Sequence, residues 1–283
     1  MAGKALASAA DAVFLDLEDA VAPGEKAGAR GKIVSALREL DWRNRPTLYR
    51  ANALDTPFFY RDVIEVVEEA GDRLDSIIIP KIQRPEDLHV AAALLSQIEL
   101  AAGLEAGKVR LEAQIESAAG LASIDGIARA SGRLEALHFG PGDFAASLRM
   151  PYRSIGAMDE WDEAYPGHRF HYAMQRIVVA ARAAGLRAVD GPLADYRDEE
   201  ALRRSCLLAR SLGFDGKWCI HPAQIPIVNE VFSPTDEEIA WAKKVVEAYE
   251  EAGTGATSVE GQMIDAASIK MARTTLDRVS EKD

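Results

Sequence analysis

The chain has 283 residues, 48% hydrophobic and 28% charged, and a formal net charge of −12. That length suits one large barrel or two small domains, and the composition supplies a sizeable core. The acidic balance, without a basic stripe or aromatic platform, speaks against nucleic-acid binding but not against an anionic small molecule held by local Lys and Arg. No apolar run approaches a membrane span, and the opening MAGKALASAADAVFLDLEDA meets acids too early for a signal peptide. Cys206 and Cys219 form no CxxC pattern and no disulfide framework, which points to a structural role in a reduced cytoplasm.

In chain order, Asp11–Leu17 reads as a buried strand with Glu18 and Asp19 just beyond it, followed by a helix over Glu25–Leu40. Pro46–Ala51 is the next strand, ending near Arg50 and Asn52, and Pro57–Ala70 the next helix. Ser76–Pro80 is a strand with Lys81 after its end, and the Pro-Glu-Asp opening of Pro85–Ala102 suits a helix N-terminus. Val109–Glu116 alternates Leu111, Ala113 and Ile115 with Glu112, Gln114 and Glu116, the period of a strand, and a helical run follows over Leu121–Ala130. Leu134–Phe139 is a strand leading into a glycine-flanked loop with Asp143 at its tip. A loop-rich insert, packed down by Trp161, Tyr165 and Tyr172, reaches Gly167. Then come the helix Arg169–Ala184, the strand Leu186–Val189, the helix Asp198–Leu212 and the strand Phe214–Ile220, which ends at His221-Pro222. Two helical stretches, Asp236–Ala252 and Asp265–Val279, close the chain, joined by a Gly-Thr-Gly-Ala-Thr linker and a short hairpin around Gly261. A segment held by such a linker has little reason to fold back alone.

Strand alternating with helix predicts a parallel sheet. Polar groups gather after every strand: Glu18 and Asp19, Arg50, Lys81, Glu116, Asp143, Asp190, His221. A doubly wound sheet would collect them at one switch point behind a glycine-rich turn, and GxGxxG is absent, so a closed α/β barrel fits better. The count gives seven strands where a (β/α)₈ TIM barrel needs eight, and the shortage falls at the N-terminus, where the chain begins in a helix-like KALASAA. The expected domains are a barrel over 1–232 and a C-terminal helical extension and lid over 233–283. A lone strand-end glutamate is more often a solvated carboxylate than a ligand. Glu116 gains weight because Asp143 stands in the same situation, and two such carboxylates can make half of an oxygen-rich Mg²⁺ site. His138, mid-strand, reads as a packed core histidine. Lys81 reads as an ion-pairing or phosphate-side residue in preference to a Schiff base, and His168 and His171 lack a third ligand. Glu18 and Asp19 either hold metal-bound waters or pair with Lys26 and Arg30.

The motifs, in order, are Asp16-Leu-Glu-Asp-Ala-Val21 with Lys26 and Arg30, Tyr49-Arg-Ala-Asn52, Ile79-Pro-Lys81, Gln114-Ile-Glu-Ser117 and Gly140-Pro-Gly-Asp143. Gly213-Phe-Asp-Gly-Lys217, Ile220-His-Pro222 and Gly261-Gln-Met-Ile-Asp265 complete the set. Together, over nearly the whole chain, they resemble the HpcH/HpaI aldolase/citrate lyase beta-subunit family of CoA-ester lyases, most of all its malyl-CoA/β-methylmalyl-CoA lyase branch. The resemblance implies a (β/α)₈ barrel, Mg²⁺ or Mn²⁺ as cofactor, CoA thioester and α-keto acid substrates, and a homotrimer or hexamer. It matches Glu116 and Asp143 to metal ligands, and Arg50 and Lys4 to substrate-binding cations. Gly142, Asp143, Ile220 and His221 match substrate-pocket positions, and Asp265 matches an acid that a lid shared between subunits inserts into a neighbour's site. Glu18, Asp19, Lys26 and Lys81 stand behind these. The family opens with a strand of the type Arg-Ser-x-Leu-Phe-x-Pro-Gly, and this chain starts after it. A reading frame beginning upstream, or another segment over the gap, is therefore expected.

The reaction implied is Mg²⁺-dependent cleavage or formation of a β-hydroxyacyl-CoA through a thioester enolate. The same site admits hydrolysis by a malyl-CoA thioesterase or a citryl-CoA lyase reaction. From another class, a catalytically weak scaffold or complex subunit is the competing expectation, against which the joint presence of Glu116, Asp143, Arg50 and Asp265 argues.

Overall fold

The computed structural model describes residues 2–151, 153–156, 159–165, 168–253 and 255–280, which fall into two compact units, Met1–Val228 and Asn229–Asp283. In the first unit seven parallel strands pair in sequence order. They are β1 (Val13–Asp16), β2 (Thr47–Arg50), β3 (Ser76–Ile79), β4 (Arg110–Ile115), β5 (Leu134–Phe139), β6 (Arg187–Asp190) and β7 (Gly216–Lys217). Helix α1 (Ala2–Leu6) precedes β1, and the chain returns between the strands through α2 (Lys26–Glu39), α3 (Phe59–Ala70), α4 (Pro85–Ala102), the short α5 (Ala118–Ala122), α6 (Ile124–Ile127), α7 (Pro141–Ser147) and α8 (Glu160–Ala164), then α9 (His171–Ala183) and α10 (Glu199–Leu212). Helix α11 (Ile225–Phe232) follows. The sheet is the curled parallel sheet of a (β/α) barrel, so the barrel reading of the sequence holds.

Strand alternation decides what faces inward. Leu111, Ala113 and Ile115 of β4 are fully buried, while Glu112, Gln114 and the following Glu116 share the other face. Helix α3 turns Val63, Val66, Val67 and Ala70 inward, and α4 starts on Pro85 with Asp87 Oδ2 accepting from the Gln83 and Arg84 amides just before it. It stops at Gly103, whose φ of 68° is a left-handed cap that costs a glycine nothing. The backbone ladder runs on past the strand ends: the amides of Leu17, Ala51, Ile82, Gly140 and Trp218 each donate to a carbonyl of the neighbouring strand. The residues just beyond the strands are therefore tied into the sheet.

Four elements differ from the sequence reading. The strand expected over Phe214–Ile220 is shorter, Gly216–Lys217, with the Asp215 and Trp218 amides continuing its bonds to β6 on either side. The helix expected over Leu121–Ala130 is broken into α5 and α6 around Ser123, whose own φ/ψ is not helical. Asp143 lies in the first turn of α7, where Pro141 starts a helix in place of the expected loop. Trp161, Tyr165 and Tyr172 are exposed, so they do not pack the insert down, and parts of that insert lie outside the described residues.

The second unit contains α12 (Asp236–Ala252), a hairpin of β8 (Ala256–Val259) and β9 (Gln262–Asp265), and α13 (Ala266–Ser280). Glu260 and Gly261, both with positive φ, make the two-residue turn expected around Gly261. Ala242, Val245, Ile264 and Ala272 form its core, so the tail does fold on itself, around α12.

Candidate active site

The C-terminal ends of β1 to β5 bring together Asp16, Glu18, Arg50, Lys81, Glu116 and Asp143. Arg50 grips Asp16 with two bonds, Nε to Oδ1 at 2.9 Å and Nη2 to Oδ2 at 2.7 Å, and its Nη1 stands 2.8 Å from Glu18 Oε2. Lys81 Nζ lies 2.9 Å from Glu18 Oε1 and 3.9 Å from Asp143 Oδ2. Both oxygens of buried Glu18 are thus ion-paired, yet neither accepts a well-directed hydrogen bond. Lys81 is one of few non-glycine residues with positive φ, 55°. That conformation costs on the order of 1–2 kcal/mol and turns the Lys81 amide onto Glu116 Oε1 at 2.7 Å.

Glu116 is buried, and its Oε2 accepts from Gln114 Nε2 at 2.7 Å. Gly140 crosses directly over it: a Cβ there would stand 2.6 Å from Glu116 Cβ, so only glycine lets β5 approach. Burial, with Glu18 and Asp143 nearby, pushes the Glu116 carboxyl up to about 8. Burial likewise raises Glu18 despite Arg50 and Lys81. In Asp16 burial is outweighed by the bonds from Arg50, and its carboxyl sits below the usual range. Four acids, Asp16, Glu18, Glu116 and Asp143, against two cations, Arg50 and Lys81, leave the cluster short of positive charge, which is the environment a hard divalent cation relieves. Among the described residues no three His, Cys, Asp or Glu side chains enclose an ion unaided. Glu116 and Asp143 fit such a cation as two oxygen donors, with water and substrate oxygens completing its coordination, as Mg²⁺ commonly has it.

The other sequence candidates are distributed as follows. Asp19 is exposed, while Lys26 is buried and anchors the loops by donating to the carbonyls of Leu17 and Glu18 and to Asn52 Oδ1. Lys26 therefore meets Glu18 through the backbone, and Arg30 pairs with Asp62 and Glu65, not with Glu18 or Asp19. Lys4 is exposed on α1, whose end takes bonds from Arg45 just before β2, the opposite end of the strands from the carboxylates. Gly142 lies against Ile155 in α7. Ile220 and His221 are exposed after β7, with both amides on Gln224 Oε1 and the His221 ring stacked 4.3 Å from Tyr196. Asp190 and Lys217 are closed on each other at 2.5 Å. In the second unit Asp265 Oδ1 accepts from the Ala267 and Ser268 amides and the Ser268 hydroxyl, which cap α13 and hold its carboxyl below the usual range. Sequence reasoning missed Asp16 as the partner of Arg50 and missed Gln114 behind Glu116. Their inward strand parity, shared with Arg50 and Glu116, was the available signal.

A barrel with an acidic, arginine-bearing centre at its strand ends is an enzyme architecture, and the comparisons define which. The model of the HpcH/HpaI aldolase/citrate lyase family matches residues 1–222. An L-malyl-CoA/beta-methylmalyl-CoA lyase of Cereibacter sphaeroides is 45% identical over 278 residues, spanning 95% of this chain and 87% of that protein. Among solved structures, CitE of Mycobacterium tuberculosis in complex with magnesium, acetoacetate and coenzyme A superposes with a TM-score of 0.76 at 31% identity, covering 98% of this chain and 92% of that one. A citrate lyase of Burkholderia xenovorans gives a TM-score of 0.82 at 26% identity, covering 96% and 84%. The chain belongs to the HpcH/HpaI aldolase/citrate lyase family and is an enzyme of the lyase class. No helix among the described residues is long and apolar enough to cross a membrane.

Proposed function

We propose that the chain is a Mg²⁺-dependent CoA-ester lyase. It cleaves or forms a β-hydroxyacyl-CoA such as malyl-CoA or β-methylmalyl-CoA, with glyoxylate and acetyl-CoA or propionyl-CoA as the partners. The observation that carries this reading is the convergence of Glu116, Asp143 and Glu18 on Lys81 beside a doubly anchored Arg50. The names of the relatives, and the ligands of the CitE structure, support the substrate class.

Breaking the carbon–carbon bond leaves negative charge on a thioester enolate, and the reverse reaction places it on the former keto oxygen. Glu116 and Asp143 would hold the cation, which when bound supplies Lewis acidity toward a keto or hydroxyl oxygen. Arg50, fixed by Asp16 and Glu18, keeps N–H groups for that same oxygen; preorganised donors of this kind are worth roughly 3–4 kcal/mol each. Asp265, kept ionised by its cap bonds, would move the proton at the methyl carbon from the lid of a neighbouring subunit in a trimer or hexamer.

The test is incubation of the protein with Mg²⁺ and a panel of hydroxyacyl-CoA esters, with products identified by mass. Acetyl-CoA or propionyl-CoA together with glyoxylate is expected. Free CoA with intact malate would instead mark a thioesterase, and full activity in excess chelator would remove the metal from the reading.

A further inference from the structure

Beneath the carboxylates, the barrel interior holds a second polar column that the proposed reaction does not use. Glu112, on the inward face of β4, lies with Oε2 2.6 Å from His138 Nε2 on β5, and its Oε1 accepts from Arg187 Nη2 on β6 at 3.2 Å. His138 Nδ1 is 2.9 Å from Trp218 Nε1, just past β7. No backbone pairing joins β7 to β1 among the described residues, and the Trp218 indole lies across that side of the sheet. Its ring stands 4.6 Å from Phe14 of β1, and the guanidinium carbon of Arg50 lies over it at 5.4 Å.

The chemistry of these groups fixes the direction of each bond. An indole nitrogen only donates, so His138 Nδ1 accepts, and the imidazole proton sits on Nε2 and faces Glu112. Burial opposes charge on Glu112, but the bond from His138 prevails and keeps the carboxyl low. The two bonds thereby orient the imidazole between Glu112 and the indole. The bonds that Arg50 makes to Asp16 lie in the guanidinium plane. They and the Nη1 ion pair with Glu18, which is not a well-directed hydrogen bond, hold the guanidinium by its edge, and a ring on its face restricts the tilt that remains.

We propose that Trp218 is a positioning residue for Arg50: the indole, itself held by its bond to His138 Nδ1, sets the tilt at which the guanidinium meets the substrate oxygen. This rests on the lyase reading for what Arg50 does, and on the geometry alone for how it is held.

The experiment compares Trp218→Leu with Trp218→Phe in the full chain with Mg²⁺ and the preferred CoA ester. The leucine variant is expected to lose about ten-fold in kcat, the equivalent of ~1.4 kcal/mol, with KM within about two-fold. Phenylalanine keeps a ring under Arg50 and most of the rate. Should Trp218→Leu fail to fold, Trp218→Met, ringless and closer in volume, takes the same reading. A residue that only filled the side between β7 and β1 would lower the melting temperature and leave kcat per folded molecule unchanged. Nitrogen-15 spectra need no turnover: the Arg50 Nε resonance should move in Trp218→Leu, and the His138 Nδ1 resonance should move in Trp218→Phe, which lacks the indole N–H. Wild-type kcat in an active leucine variant, or either resonance unmoved, overturns the proposal. A wild-type protein inactive on every ester would refute the lyase reading instead, and the two resonances would still decide this one.

Discussion

Replacing Glu116 with glutamine removes the charge that the metal-free fold tolerates least. Burial and the neighbouring Glu18 and Asp143 push this carboxyl from 4.5 up to about 8. Between those values the folded chain retains a proton that the unfolded chain releases. The contribution of Glu116 to stability is therefore full below about 4.5 and lost as pH rises to about 8. At ~1.4 kcal/mol per pH unit across that window, the total is on the order of a few kcal/mol before any relaxation by water. Glutamine is neutral throughout and lacks the decline. It also has a place to bond: its oxygen can keep the Lys81 amide, and its NH₂ can meet the Gln114 Oε1, which accepts no bond in the wild-type arrangement, once that amide turns over. The assay is urea unfolding of chelated wild type and Glu116→Gln from about pH 5 to about pH 9. The variant is expected to gain on wild type as pH rises, and added Mg²⁺ should stabilise wild type alone. Parallel pH curves would refute the electrostatic reasoning, and an equal Mg²⁺ response in both proteins would refute Glu116 as a ligand.

Three further outcomes are expected. Gly140→Ala drives a methyl group into Glu116 and should weaken Mg²⁺ binding, read by calorimetry without substrate, by ten-fold or about 1.4 kcal/mol; unchanged affinity would free Glu116 from the site. Arg50→Lys replaces a planar fork with a single point charge and should cut kcat by about 10²–10³ with the fold intact, as the far-ultraviolet spectrum and kcat together will report. Finally, Glu116→Gln chains mixed with Asp265→Asn chains, each inactive alone, should recover part of the wild-type rate under subunit exchange, and verified exchange without recovery would count against a shared site.

The fold was legible where one periodicity spoke alone. The strand Leu134–Phe139 and the helices Pro85–Ala102 and Asp236–Ala252 have the limits their patterns predict. It was less legible where pairing decides: Phe214–Ile220 has a strand composition, but only Gly216 and Lys217 pair in register with β6. The site divides in the same way. Glu116, Asp143, Arg50 and Lys81 could be found because strand ends are visible in a sequence. Which acid Arg50 would bind was not visible, since Asp16, Glu18 and Asp19 lie within four residues and only the turn after β1 separates them. Arg50 takes Asp16, its partner in the β1–β2 register, with two bonds, and pairs with Glu18 as well. Lys4 was assigned by motif alone, and the structure sets it at the other end of the strands.

The left-handed backbone at Lys81 sets two opposed demands on one residue. Glycine would relieve the strain, but it carries no ammonium, and the carboxylate that the ammonium meets, Glu18, is buried. A substitution chosen to relax the backbone would trade a small conformational gain for a buried acid with one cation fewer, so stabilising the loops by matching residue to backbone stops short of this position.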